Sequence, residues 1–179
     1  MEMKGIRAAI LVEQQYQEME VWYPLYRLRE AGCKVTVVGP EAGTNYPSKL
    51  GYPCKSDKAA RDVSADDFDV LVVPGGFAPD YMRRCEPMLR LVSGMVEQGK
   101  VVAAICHGPW VLCSAGVLKG RRATCFFAIK DDVVNAGAIY QDAEVVVDRN
   151  LVTSRKPEDL PAFCRGAINV LVEQPVLAS

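Results

Sequence analysis

The chain has 179 residues, of which 50% are hydrophobic and 24% are charged. This is the composition of an ordinary globular protein, and the length suits one domain, so we interpret residues 1–179 as a single domain. The formal net charge of −1 at pH 7 gives no reason to expect a nucleic acid or a membrane as a partner. The apolar runs are too short to span a bilayer and no signal peptide is recognised, so a cytoplasmic location is expected.

The first part of the chain is predicted to form a β-α-β unit. Residues 7–12 are interpreted as a strand, residues 18–31 as an amphipathic helix that Gly32 ends, and residues 33–38 as a second strand. Apolar strands joined by short loops argue for a parallel sheet covered by helices on both faces. The buried side of the helix is predicted to carry Met19, Val21, Trp22, Leu25 and Leu28.

The rest of the chain continues the alternation of strands and helices. Residues 40–57 are interpreted as a peripheral loop or hairpin with a weak strand at 51–55. The further predicted elements are a capped turn at 64–66, a strand at 70–73, a helix at 86–98, strands at 101–105 and 124–127, helices at 110–115 and 129–135, a hairpin of 145–147 with 151–153, and a closing helix at 158–172.

The segment around Cys106 organises the prediction of function. Residues 101–105 read as a buried strand, and a helical run begins almost directly after Gly108 and Pro109. A strand that turns into a helix so abruptly leaves Cys106 strained at its carboxyl end, which is the nucleophile elbow usually written G-x-S-x-G. Here small residues, Ala104 and Gly108, stand two positions before and after the cysteine. The amino terminus of the helix is expected to favour the thiolate.

A buried structural cysteine is the alternative interpretation of Cys106, and the adjoining His107, the only histidine of the chain, favours the nucleophile. Ligands of open α/β sheets bind beyond the carboxyl ends of the strands, where Cys106 and the Pro-Gly-Gly turn are both predicted to lie. The backbone N–H groups of Gly75, Gly76 and His107 are predicted to form an oxyanion hole. A turn that only needs positive φ is the alternative for the two glycines.

No cofactor or metal is expected. The chain contains neither G-x-G-x-x-G nor a Walker loop, so a nucleotide site has little support. The seven cysteines include no C-x-x-C pair and there is one histidine, which argues against a structural zinc site and for reduced thiols.

Two segments carry a resemblance to a known family. Residues 71–80 (LVVPGGFAPD) and 104–109 (AICHGP) resemble the signature segments of the PfpI-type intracellular protease family. That family belongs to the superfamily that includes the human parkinsonism-associated deglycase, and the similarity extends over nearly the whole chain. The resemblance implies a flavodoxin-like α/β three-layer sandwich of the class I glutamine amidotransferase type, with a mainly parallel sheet, helices on both faces and a nucleophile elbow.

The resemblance also implies roles for individual residues. The family's nucleophile corresponds to Cys106 and its adjacent histidine to His107. The acidic residue that orients this histidine from a neighbouring subunit corresponds to Asp80, where the family more often has glutamate. The glutamate that hydrogen-bonds the cysteine corresponds to Glu20, and a second acidic position of that loop is Gln17 here. Because the relay is supplied in trans and family members form dimers and hexamers, a homo-oligomer is expected.

Each of these residues has a structural alternative. Glu20 is expected to touch the sulfur and to be protonated, its pKa raised by an apolar site and a nearby thiolate; otherwise it is a solvated carboxylate in a first helical turn. The ring of His107 either meets the thiol or points out of the turn. Asp80 is either a relay or the N-cap of the segment that follows it.

Aromatic residues are predicted to line the substrate pocket. The tentative pocket set is Gln17, Trp22, Tyr23, Phe77, Trp110 and Phe126. Phe126 stands about where the human-like branch of the superfamily has a histidine, so proton transfer would depend on His107 or Glu20.

Three functions remain open on the sequence. The first is glyoxalase or deglycase chemistry, in which Cys106 attacks a small carbonyl or amide substrate without glutathione. The second is peptide hydrolysis by Cys106, His107 and Asp80. The third is a non-enzymatic role as a redox sensor or stress chaperone, with Cys106 oxidised to the sulfinate.

Overall fold

A computed structural model describes residues 3–173 of the chain. The eleven strands found in this range are β1 Arg7–Leu11, β2 Lys34–Gly39, β3 Asn45–Pro47, β4 Pro53–Lys55, β5 Lys58–Ala59, β6 Val70–Val73, β7 Val101–Ile105, β8 Arg122–Ala123, β9 Ile139–Tyr140, β10 Val146–Asp148 and β11 Leu151–Ser154. The α-helices are α1 Glu18–Ala31, α2 Ala78–Met82, α3 Glu86–Glu97, α4 Pro109–Ser114, α5 Lys130–Asn135 and α6 Leu160–Glu173.

A seven-stranded sheet forms the centre of the molecule, in the order β10-β11-β7-β6-β1-β2-β5. Every neighbouring pair is parallel except β10 with β11. Strands β6 and β7 are buried along their whole length, and α1 packs against α6 while α3 packs against α4. Buried parallel strands need helices on both faces, and the predicted flavodoxin-like fold is confirmed.

The register of the three central strands brings their loops together. Ile10 of β1 pairs with Val72 of β6, and Val73 of β6 pairs with Ala104 of β7. Because the three strands run in the same direction, the segments that follow them meet at one edge of the sheet. This edge carries the start of α1, the Pro-Gly-Gly turn and the turn between β7 and α4.

Two predicted features of local structure are wrong. Residues 124–127 do not form a strand: the Thr124 N–H donates to Oγ1 of Thr153 and the Phe126 N–H donates to the carbonyl of Cys106, so neither joins a strand ladder. A 3-10 helix follows at Phe127–Ile129. Met19 is exposed rather than buried, because it lies on the outer face of α1.

Short elements that lack a periodic pattern were not predicted. Helix α2 is such an element, and it begins only two residues after Gly76. Helix α1, by contrast, has the predicted bounds and ends at Gly32, whose φ is 106°. Strands β3 and β4 form the predicted peripheral hairpin. None of the helices between residues 3 and 173 is long and apolar enough to cross a bilayer.

Candidate active site

The turn after β7 holds Cys106 in a strained conformation. Its φ is 62°, a value that residues other than glycine rarely adopt, and the residue is 7% exposed. The Cys106 N–H donates to the carbonyl of Ser154 at 3.0 Å, and the Cys106 carbonyl accepts from Phe126 N at 2.9 Å. A Cβ atom on Gly108 would lie 2.5 Å from the Val73 carbonyl oxygen, so only glycine fits where strand and helix pass. The geometry is that of a nucleophile elbow.

Glu20 points from the first turn of α1 into the protein interior. It is 0% exposed, and its Oε2 accepts a hydrogen bond from the Gly75 N–H at 2.7 Å. Gln17 caps this helix: its side-chain oxygen accepts from the Glu20 N–H at 3.2 Å, and its own N–H donates to the Gly75 carbonyl. The buried position of Gln17 therefore serves to fix Glu20, and the alternative of a solvated carboxylate for Glu20 is excluded.

Burial raises the pKa of Glu20 to about 7, while the hydrogen bond from the Gly75 N–H and the nearby Cys106 side chain lower it. The second carboxyl oxygen, Oε1, has no hydrogen-bond partner among residues 3–173. Glu20 and Cys106 lie on either side of Gly75, since a Cβ atom there would approach both side chains within 3 Å. The Cys106 thiol is the neighbouring group with which the Glu20 carboxyl group can exchange a proton. The expected upward shift of the Glu20 pKa is present, and desolvation is its main cause.

The pKa of Cys106 is raised to about 12, first by burial and then by the negative charge of Glu20. Backbone N–H groups of Gly76 and His107 face the sulfur and oppose this shift. The N–H groups therefore favour the thiolate as expected, but desolvation and a neighbouring carboxylate outweigh them, so the pKa of the resting thiol is raised.

The thiol and the carboxyl group titrate as a coupled pair. Because burial raises the pKa of both groups and the charge of each disfavours ionisation of the other, the pair retains a proton at neutral pH. That proton can reside on the sulfur or on the carboxyl group, so a neighbouring base is in place whenever the thiol attacks.

The two glycines of the turn differ in what they contribute. The N–H of Gly75 is already bound to Glu20, so it is not available for the predicted oxyanion hole. The N–H groups of Gly76 and His107 face Cys106 and are the two donors left near the sulfur. A Cβ atom on Gly75 would lie 2.6 Å from Glu20 Oε2 and 2.7 Å from Cys106 Cβ, so this glycine is required by close approach.

The imidazole of His107 meets the thiol. Nδ1 lies 3.3 Å from Cys106 Sγ, and burial lowers the pKa of the ring, which is therefore neutral near pH 7. Three predicted pocket residues surround it: Phe126 stacks at a centroid distance of 5.0 Å, Trp110 stands edge-on at 5.2 Å and Phe77 lies at 6.5 Å. The alternative of a ring pointing away from the sulfur is excluded.

Asp80 does not reach this imidazole within the chain. It lies in the first turn of α2 and forms an ion pair with Arg84. The N-cap position of α2 is Phe77, so the interpretation of Asp80 as an N-cap is wrong. A role of Asp80 toward a neighbouring subunit stays a prediction.

Trp22 and Tyr23 lie away from the thiol. They line a groove of about 640 Å³ on the outer face of α1, together with Glu18, Met19, Tyr26, Arg27 and Glu30. Trp22 is tied there by a hydrogen bond to the Tyr16 hydroxyl at 3.2 Å. Helical geometry explains the position of Trp22, since a residue two positions beyond Glu20 projects from another side of the helix. Tyr23 is 41% exposed at the same groove. Their predicted place in the pocket around Cys106 is corrected.

Sequence reasoning missed three residues that border the aromatic cluster. Phe127 packs on Phe126 at 4.6 Å, the Arg83 guanidinium lies 5.5 Å from the Trp110 ring, and Asp132 accepts a hydrogen bond from Trp110 Nε1 at 2.8 Å. The consecutive phenylalanines after the elbow helix were the available signal. Among the described residues, no group of three or more histidine, cysteine or acidic side chains is arranged to hold a metal ion.

The fold and this site define a class of protein: an α/β sheet that presents a cysteine at a nucleophile elbow, with a buried carboxyl group beside it. The sequence model of the DJ-1/PfpI family matches residues 6–170. The chain belongs to the DJ-1/PfpI family.

Relatives and solved structures agree with this assignment. A deglycase of Pyrococcus abyssi is 46% identical, over 93% of this chain and 99% of the relative. YraA of Bacillus subtilis, whose name describes it provisionally as a cysteine protease, is 46% identical, over 92% of this chain and 98% of the relative. The crystal structure of Drosophila melanogaster DJ-1beta superposes with a TM-score of 0.86 at 31% identity, covering 94% of each chain. The names of these relatives support enzyme activity in the family.

Proposed function

We propose that the protein is a cysteine-dependent glyoxalase or deglycase that acts on small carbonyl compounds without glutathione. The observation that carries this proposal is the buried Glu20 carboxyl group beside the Cys106 thiol, with a pKa near 7. A carboxyl group of this pKa can both accept and return a proton at neutral pH. The deglycase name of a relative is consistent with this chemistry.

The proposed reaction of methylglyoxal begins with addition of the thiol. Cys106 Sγ bonds to the aldehyde carbon, the carbonyl electron pair moves onto oxygen, and Glu20 transfers the thiol proton to that oxygen. The resulting hemithioacetal rearranges when the hydrogen on C1 leaves as a proton, a proton is returned to C2, and the hydroxyl proton on the C1 oxygen passes to the C2 oxygen, which gives a thioester. Water then hydrolyses the thioester to lactate and restores the thiol, so that methylglyoxal and water yield lactate.

Two further groups assist this sequence. The N–H groups of Gly76 and His107 face the sulfur and stabilise negative charge that develops at the attacked carbon's oxygen. The neutral imidazole of His107, with Nδ1 3.3 Å from Sγ, is a second carrier for the proton that moves between C1 and C2.

The test is lactate formation from methylglyoxal without glutathione, followed by mass spectrometry. The wild-type protein is compared with Cys106→Ala and with the matched control Cys164→Ala, which removes another buried thiol far along the sequence. Lactate is expected from the wild type and the control and not from Cys106→Ala. Absence of lactate from the wild type, or its persistence in Cys106→Ala, would overturn the proposal.

Peptide hydrolysis is the second candidate, because the contact between Sγ and His107 Nδ1 supplies a nucleophile and a base. Digestion of labelled casein tests it, with Asp80→Asn as the diagnostic variant. Peptidase activity would be lost in both Cys106→Ala and Asp80→Asn, whereas the carbonyl reaction would not need Asp80. In the chain itself Asp80 pairs with Arg84, so this candidate requires a homo-oligomer in which a neighbour supplies the relay.

A further inference from the structure

The aromatic side chains beside His107 are more exposed than the reaction of a small aldehyde requires. Phe77 is 61% exposed and Phe127 is 76% exposed, and these are the two most exposed aromatic rings between residues 3 and 173. Exposed apolar rings gathered at one place mark a site where an apolar group binds.

The rings form a continuous row, and one ring within it contacts the Cys106 thiol. Phe127 contacts Phe126 with centroids 4.6 Å apart, Phe126 stacks on His107, and His107 faces Phe77 at an interplanar angle of 21°. The imidazole at the centre of the row contacts Sγ of Cys106. A group that binds on this row is therefore adjacent to the sulfur.

One side of the row is held in place. Trp110 stands edge-on to His107, its Nε1 donates to Asp132 at 2.8 Å, and the Arg83 guanidinium covers its ring while donating to Ser114 Oγ at 2.8 Å. The backbone of Phe77 is held by a hydrogen bond from its N–H to the Gln15 carbonyl at 2.9 Å. Fixed walls reduce the entropy that is lost when a flat ligand binds.

We infer that the site prefers carbonyl compounds that carry an aromatic group, with arylglyoxals as the substrate class, and that Phe77 and Phe127 form the aryl subsite. This inference rests on the proposed function. Aromatic rings attract one another in stacked and edge-on arrangements with centroids 4.5–7 Å apart, the range that this row already shows. Phenylglyoxal and water would give mandelate by the same steps that give lactate from methylglyoxal.

The subsite can be tested without turnover by alkylation of Cys106. The reagents are 2-bromoacetophenone and bromoacetone, which both form a carbon–sulfur bond with loss of bromide and differ in an aryl or methyl substituent. Labelling rates at the Cys106 peptide are followed by mass spectrometry and divided by the rates with N-acetylcysteine. The corrected aryl-to-methyl ratio is expected to be on the order of 10 in the wild type.

The variants Phe77→Ala and Phe127→Ala assign the preference to the subsite. Both side chains are exposed, so the fold is retained, and each variant is expected to lower the ratio several-fold while bromoacetone labelling stays within about 3-fold. Tyr26→Ala is the matched control, because Tyr26 is 59% exposed and stacks on Trp22 instead. A wild-type ratio near 1, as expected if a second copy covers these rings, would overturn the inference. An unchanged ratio in both variants would overturn it as well.

A second arm separates this inference from the proposed function. Mandelate formation from phenylglyoxal is measured beside lactate formation from methylglyoxal, with a higher kcat/KM expected for phenylglyoxal. Aryl-selective labelling without either acid would contradict the proposed reaction and leave the subsite standing. Lactate formation without aryl selectivity in either arm would contradict the subsite and leave the reaction standing.

Discussion

Cys106 and Cys164 are both buried thiols, and burial raises the pKa of each to about 12. Their exposed fractions, 7% and 3%, hardly differ. Cys164 lies within α6 in the apolar core, where Arg27 is the one charge among residues 3–173 that shifts its pKa. Cys106 has positive φ, two N–H groups aimed at its sulfur, a neutral imidazole and a buried carboxyl group.

The comparison shows that a raised pKa does not by itself distinguish the thiol proposed as the nucleophile from a thiol of the apolar core. What differs is the set of groups that can take the proton and stabilise charge once a substrate has arrived. Around Cys106, the N–H groups, the imidazole and the carboxyl group are in place before a substrate binds. Catalysis by preorganised groups requires this arrangement.

The largest expected difference between the two cysteines is the effect on activity of replacing each with alanine. Cys106→Ala is expected to lower kcat/KM by at least about 10³-fold, because it removes the nucleophile. Cys164→Ala is expected to leave kcat/KM within about 2-fold and to lower the free energy of unfolding by about 1–2 kcal/mol through the cavity in the core. Steady-state kinetics and urea unfolding of both variants check this, and equal losses of activity would contradict it.

Replacing the carboxyl group makes the surroundings of Cys106 more like those of Cys164. Glu20→Gln keeps the shape and removes the base, and is expected to lower kcat/KM by about 10²–10⁴-fold. In the wild type, kcat/KM is expected to rise with pH through about 7, because the pair must lose its first proton before the thiol can give up the second. A pH–rate profile that keeps this limb in Glu20→Gln would show that another group titrates.

The role of the imidazole nitrogen is separated from that of its ring by His107→Phe. This variant retains an aromatic ring between Phe77 and Phe126 and removes Nδ1 near the sulfur. We expect kcat/KM to fall by about 10²-fold with little change in thermal stability. An activity within 2-fold of the wild type would mean that only the backbone N–H of His107 takes part.

The pH dependence of stability tests the burial of Glu20 directly. Its pKa rises from 4.5 in the unfolded chain to about 7 in the fold, so the folded state binds the proton more tightly. The stability contributed by this proton is complete below pH 4.5 and is lost as pH rises through about 7, by about 3 kcal/mol. Urea unfolding between pH 4.5 and 8, with the pH dependence of Glu20→Gln subtracted, measures it. A flat difference would contradict the buried carboxyl group.

The sequence alone determined the parts of this protein that depend on local patterns. The strand Val101–Ile105, the helix Glu18–Ala31 with Gly32 behind it and the abrupt turn at Cys106 follow from apolar runs, helical periodicity and the positions of glycine. These signals act between residues that are close in the chain, so no tertiary information is needed to recognise them.

Tertiary structure decided the chemistry of the site. The hydrogen bond between Glu20 and Gly75 joins residues 55 positions apart, and it both fixes the carboxyl group and takes the N–H that was expected to serve an oxyanion hole. The projection of Trp22 away from the thiol likewise depends on how α1 is rotated against the sheet. Burial and the approach of atoms distant in sequence set a pKa, and neither can be seen in a linear pattern of residue types.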